Sequence, residues 1–134
     1  MSLMLAVALT IAYPFNQQTM ARNDVSTCFD RLLVRAYYGH ADYERAAFLI
    51  LNEDRTISCR EWPATYEFKT ATWNGAVPDG TIAIAHTHPE RLRRPSRADF
   101  STAASVGVPV IVVTQAWIGV GASDGSVEFY QRGR

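Results

Sequence analysis

The chain has 134 residues, enough for one domain with a single sizeable core. Hydrophobic residues make up 48% and charged residues 19%, a globular balance that excludes general disorder. The 13 basic and 13 acidic side chains cancel to a net charge of zero, so no basic excess points to nucleic acid.

Residues 3–12 form an apolar run of signal-peptide length, too short to span a bilayer. Thr10-Ile11-Ala12 and Thr19-Met20-Ala21 both place small residues at cleavage spacing. No Lys or Arg precedes the run, which counts against export. Residues 1–21 are read as an export signal, with a buried first strand or helix as the alternative. As a signal they direct the protein to the periplasm or the exterior; as a core element they leave it cytoplasmic. The domain proper is then 22–134.

Residues 23–38 read as a helix, with Asn23, Asp24 and Ser26 as candidate caps and Phe29, Leu32, Leu33 and Ala36 at helical spacing. Gly39 is a natural stop. Residues 46–51 are continuously apolar, as in a buried strand. Asn52-Glu53-Asp54-Arg55 is a turn, and residues 56–61 return as a hairpin partner. Residues 62–80 are irregular, broken by Pro63, Gly75, Pro78 and Gly80.

Residues 81–88 form the next strand, where spacing by two puts Ile82, Ile84, His86 and His88 on one face. Pro89 ends it. Residues 96–106 read as a helix with Ser96 as N-cap and Gly107 at its end. Residues 108–114 are a strongly apolar, central strand. Two more strands, 117–120 and 127–131, are joined at Ser123-Asp124-Gly125. This order indicates an α/β domain: a mixed β-sheet flanked by helices. Cys28 and Cys59 form no C-x-x-C pair; they are a disulfide in an exported chain and two buried thiols otherwise.

The chemistry concentrates in His86-Thr87-His88-Pro89 and Pro95-Ser96-Arg97-Ala98-Asp99, the pattern H-x-H-x(7)-S-x-x-D. Two imidazoles near a strand end and a carboxylate in the first turn of the next helix can meet at one ion. That is the ligand set of a catalytic zinc with one open position. Ser96-x-x-Asp99 is by itself a capping box, and a lone His-x-His is more often incidental. The joint pattern arises by chance in roughly one chain in several thousand. A carboxylate beside the metal is also needed to move protons. Glu44, just ahead of the apolar strand at 46–51, is the candidate, with Glu53, Glu61 and Glu67 as weaker rivals. Arg91, Arg93, Arg94 and Arg97 are a solvated loop or a seat for an acidic substrate. His40 is read as a helix-end histidine.

The motif resembles that of the JAB1/MPN/Mov34 metalloenzymes, the JAMM zinc peptidases, in their small prokaryotic form. The resemblance rests on His86-Thr87-His88-Pro89, Ser96 and Asp99. An alanine-rich helix, the strand Gly107-Val108-Pro109-Val110-Ile111-Val112-Val113-Thr114 and an upstream Glu44 support it. It implies a cytidine-deaminase-like JAB/MPN fold. It implies that His86, His88 and Asp99 bind zinc, that Glu44 is general acid/base on the zinc-bound water, and that Ser96 hydrogen-bonds the tetrahedral oxyanion. Peptide or isopeptide hydrolysis of a protein or peptide substrate follows. No glycine follows Glu44 in E-x-x-G form, and no large insertion of the ubiquitin-binding kind is evident. The alternative is an MPN-like binding module without catalysis. A base deaminase needs a P-C-x-x-C segment, which is missing. A histidine-triad hydrolase needs a third alternating histidine where Glu90 stands.

Overall fold

The structure, a computed structural model, describes residues 13–89 and 92–132. Six strands make one mixed sheet: β1 Ala46–Leu51, β2 Ile57–Glu61, β3 Thr81–Thr87, β4 Val110–Val113, β5 Trp117–Gly121 and β6 Val127–Gln131. They lie in the order β2-β1-β3-β4-β5-β6. Every neighbouring pair is antiparallel except β3 and β4. A parallel pair cannot be closed by a tight turn, so the chain crosses over through a helix, α3, Arg97–Val106. Two helices precede the sheet, α1 Gln17–Met20 and α2 Asn23–Arg35. The α/β class and the helix-flanked mixed sheet are as the sequence implies.

Alternation along the strands sends side chains to two cores. Ala47 and Leu49 of β1, Ala83 and Ala85 of β3, and Ile111 and Val113 of β4 pack with Val25, Phe29, Leu32 and Leu33 of α2. Phe48 of β1, Ile84 of β3 and Val110 of β4 pack with Ala103 and Val106 of α3 on the other face. The short apolar runs at β1 and β4 follow from this: both faces are covered, so neither strand has a wet side.

One face assignment from the sequence is corrected. Leu49 pairs with Ala83, but Ile50 pairs with Thr81, so Ile82 has no partner on β1. The extra residue turns Ile82 into the α2-side core, away from Ile84. Ile84 and His86 keep their common face beyond the irregularity.

The start of α2 at Asn23 is as the sequence implies, while its cap and its end are corrected. Arg22 is the N-cap residue, and no side chain caps it. Asp24 is taken by the sheet edge instead: Oδ2 accepts the Ile57 backbone N–H at 2.8 Å, and the Arg22 guanidinium donates to both oxygens at 2.9 and 2.8 Å. One turn on, Cys28 and Cys59 are joined in a disulfide, with Cα atoms 5.5 Å apart. Arg35 then pairs with Glu61 at 2.6 Å. A helical stripe at 24, 28 and 35 thus runs along 57, 59 and 61 of β2. The helix stops at Arg35 rather than continuing to Tyr38, because Tyr37 and Tyr38 turn left-handed at φ 51° and 56°. Their rings face solvent, so no core burial holds the helix on.

Residues 1–12 lie outside the described residues, and the apolar run at 3–12 with them. Residues 13–21 pack onto the domain: Met20 is in the α2-side core, and the Tyr130 hydroxyl donates to the Phe15 carbonyl at 3.0 Å. Among the described residues no helix is long and apolar enough to cross a membrane.

Candidate metal centre

The parallel pair puts the carboxyl end of β3 beside the start of α3, the usual place for a site in an open α/β sheet. His86 stands opposite Ala46 of β1 and beside Val112 of β4, and His88 follows the strand's last residue. The two rings meet edge to face with centroids 4.7 Å apart. Both are buried, at 4% and 8% exposure. Between them, Thr87 is fully buried; its Oγ1 accepts the Arg45 N–H at 3.0 Å and its own N–H donates to the Arg45 carbonyl at 2.9 Å. This fixes the chain next to Glu44.

The capping box delivers Asp99. Ser96 Oγ accepts the Asp99 N–H at 3.1 Å, and Asp99 Oδ2 accepts the Ser96 N–H at 2.8 Å. Held in that turn, Asp99 Oδ1 lies 2.9 Å from His86 Nε2 and Oδ2 lies 3.1 Å from His88 Nε2. On the other side of His86, Glu44 Oε1 is 3.0 Å from Nδ1. His88 Nδ1 lies 2.9 Å from the Leu92 carbonyl oxygen, a contact that orients the ring and turns Nε2 to within 3.1 Å of Asp99 Oδ2.

Burial opposes a charge on His86, but the carboxylates of Asp99 and Glu44 outweigh it and lift the imidazole to about 10. Burial pushes Asp99 up, and His86 and His88 overcome that push, holding its carboxyl well below the usual carboxylate range. Without an ion, the site is a string of imidazole–carboxylate pairs.

The residues fit a zinc ion. His86 Nε2 is buried and, although Asp99 is 2.9 Å away, has no aligned hydrogen-bond partner. Two ligand atoms on a tetrahedral zinc sit about 3.3 Å apart. The separations of 2.9 and 3.1 Å from Asp99 to the two imidazoles are near that value. Ligand atoms of Glu44, His86 and His88 all lie within 4.8 Å of one another.

Glu44, His86, His88 and Asp99 therefore come together. Ser96 is exposed, and its hydroxyl oxygen serves the helix cap beside the cluster. The rival acids are engaged elsewhere: Glu61 with Arg31 and Arg35, and Glu67 with the Thr72 hydroxyl at 3.1 Å. Glu53 is exposed in the turn, and His40 is exposed where the chain leaves the one-turn helix Tyr37–Gly39. Arg93 stacks on Trp117 and Phe129, 4.2 and 4.9 Å from their ring centres. Arg91 lies outside the described residues. Three contributors escape a motif reading: Thr87, the Leu92 carbonyl and Trp62, which lines a chamber beside the cluster. Thr87 alone leaves a sequence signal, a hydroxyl at an inward position of an apolar strand.

Searches of curated proteins and of solved structures return no match. The family described as prokaryotic homologs of the JAB domain matches residues 29–131, a span that holds the whole sheet, α3 and every member of the cluster. The chain belongs to the family of prokaryotic JAB-domain homologues.

Proposed function

We propose that the protein is a zinc-dependent hydrolase of peptide or isopeptide bonds. The observation that carries this is one carboxylate, Asp99, set against Nε2 of both histidines, with a second, Glu44, 3.0 Å from the same His86. His86, His88 and Asp99 would hold the ion. When bound, zinc supplies Lewis-acid polarisation of the scissile carbonyl and acidifies the attacking water. Glu44 takes the proton from that water and returns it to the amine nitrogen as the C–N bond breaks. Ser96 Oγ accepts from the Asp99 backbone, which leaves the hydroxyl proton to be donated to the developing oxyanion. The substrate is a peptide or protein. The disulfide supports action in oxidising surroundings.

Metal analysis of untagged protein, followed by peptide turnover, tests the reading. One zinc per chain is expected, lost in His88→Ala and kept in Glu44→Gln, with turnover abolished in both. Turnover by the glutamine variant removes Glu44 from the mechanism. A wild-type protein that takes up no zinc overturns the proposal.

A further inference from the structure

The two edges of the sheet are finished differently. Along β2, the Asn52 N–H donates to the Thr56 carbonyl and the Trp62 N–H to the Ala46 carbonyl, both at 2.8 Å. Alternation then turns the backbone groups of Ile57, Cys59 and Glu61 away from β1. That edge is tied to α2: Asp24 takes the Ile57 N–H, Cys28 is bonded to Cys59, and Arg35 pairs with Glu61. Along β6, the Ala122 N–H donates to the Ser126 carbonyl at 2.9 Å and the Arg132 N–H to the Ala116 carbonyl at 2.8 Å. Glu128 and Tyr130 therefore bond β5, and Val127, Phe129 and Gln131 turn their N–H and C=O groups outward. Among the described residues nothing pairs with those groups. Sheet edges are ordinarily blunted by a proline, a lysine, a bulge or a covering element. β6 reads Val127-Glu128-Phe129-Tyr130-Gln131, with neither proline nor lysine, and its register with β5 is unbroken.

We infer that β6 is the pairing surface for a second copy of this chain, antiparallel about a two-fold axis at Phe129, so that two sheets join into one. A two-fold interface has to be self-complementary, and this strand is. With Phe129 on the axis, Val127 of one copy meets Gln131 of the other, and every outward N–H of β6 finds an outward C=O. Charge agrees with this register. Glu128 stands opposite Tyr130, and Arg132 stands opposite Ser126, so no like charges face each other. Moving the axis to Glu128 sets two carboxylates directly opposite, which destabilises a strand pair. Moving it to Tyr130 carries Val127 past the end of β6. The side chains are already set for pairing. Tyr130 packs on the α2-side core, and Phe129, 36% exposed, is held under Arg93 at 4.9 Å on the other face. The two Phe129 rings would form a cross-strand aromatic pair. β4 and β5 separate β6 from β3, so pairing here leaves the metal centre open and is independent of the peptidase reading.

Sedimentation of the whole chain from micromolar to submillimolar concentration tests this, and should pass from one chain to two. Gln131→Pro removes an outward N–H and leaves the bonds to β5 in place. It should weaken association by about tenfold or more, because symmetry counts the lost hydrogen bond twice. Val127→Pro does the same at the other end of the strand and serves if the first variant fails to fold; circular dichroism of each variant should match wild type. Cross-linking reads the register. Across the axis the two Cα atoms of residue 129 lie about 5.5 Å apart, within reach of a disulfide, so mild oxidation should couple Phe129→Cys into a dimer. Val127→Cys should not couple, since its two copies lie more than about 13 Å apart along the strands. A chain that stays single at every concentration overturns the inference. Slow amide exchange at Phe129 in that single chain would mean that a segment of the same chain covers the edge. Association undiminished by both proline variants, or coupling at 127 as ready as at 129, places the contact elsewhere and overturns it too.

Discussion

Thr87 clasps Arg45 in both directions, its Oγ1 accepting the Arg45 N–H at 3.0 Å and its own N–H donating to the Arg45 carbonyl at 2.9 Å. The clasp lies on the side of β3 away from the two imidazoles, yet it sets where Glu44 stands. Thr87→Val keeps the shape and leaves the Arg45 N–H unpaired. It should lower stability by about 1–3 kcal/mol in urea unfolding. Because small misplacements of a catalytic group are costly, turnover should fall by about 100-fold with zinc still bound. Thr87→Ser restores the acceptor and should recover most of both. A valine variant with wild-type turnover would show that Glu44 is held by other contacts.

How much of this was legible depends on how local each signal is. The H-x-H alternation and the Ser96–Asp99 capping box are decided within a few residues, and both stand where the sequence puts them. Glu44 is legible only through β1, an apolar run that pairs beside β3. Ile82 turns to the other face because the irregularity depends on how β1 and β3 register, which neither strand encodes alone. Asp24 looked like a cap because its true partner, Ile57, is 33 residues away. Trp62 shows least of all: its place beside the cluster is a property of the packed surroundings.

Residues 92–95, which lead into α3, are seated on β5. A Cβ at Gly119 would collide with the Arg93 carbonyl oxygen, and one at Gly121 would press on Pro95 and Phe100. The Arg93 side chain meanwhile stacks on Trp117 and Phe129. The same segment carries the Leu92 carbonyl that orients His88. Gly119→Ala should therefore weaken zinc binding by roughly 10–100-fold, the usual effect of disturbing a partner that orients a ligand. Competition with a chromophoric chelator measures it. Arg93→Ala should move affinity the same way and Arg93→Lys should rescue part of it. Unchanged affinity in Gly119→Ala would mean that the Leu92 contact follows the chain wherever it moves.

Asp24 ties α2 to β2 through a charge, so the tie depends on pH. The Arg22 guanidinium and the backbone N–H groups of Ile57 and Val25 hold its carboxyl at about 2, against the opposing effect of burial. A carboxyl lowered in the folded state adds stability above its unfolded value of 3.8, and that stability is lost as pH falls toward about 2. The shift corresponds to about 2 kcal/mol, reduced to about 1 kcal/mol because the ion pair is partly exposed to solvent. Asp24→Asn should cost that much at pH 7, and its unfolding curve should merge with wild type by about pH 2. A gap that persists undiminished at the acid end would locate the effect in packing rather than charge.

At the proposed zinc site, the metal and a proton compete for His86. The carboxylates of Glu44 and Asp99 keep its imidazole protonated up to about 10 in the metal-free protein, whereas an ordinary histidine has lost its proton above about 6.5. A ligand nitrogen must be bare, so loading the site at neutral pH expels this proton. Apparent zinc affinity should keep rising with pH between 7 and 9, by up to about tenfold per unit, instead of levelling off above 7. Calorimetry in buffers of different ionisation enthalpy should count close to one proton released per zinc from this group at pH 8. Glu44→Gln removes one of the two charges that lift His86, so its affinity curve should level off at lower pH. A flat wild-type profile above pH 7 would mean that His86 is already neutral there and that the carboxylates around it hold no proton for the metal to displace.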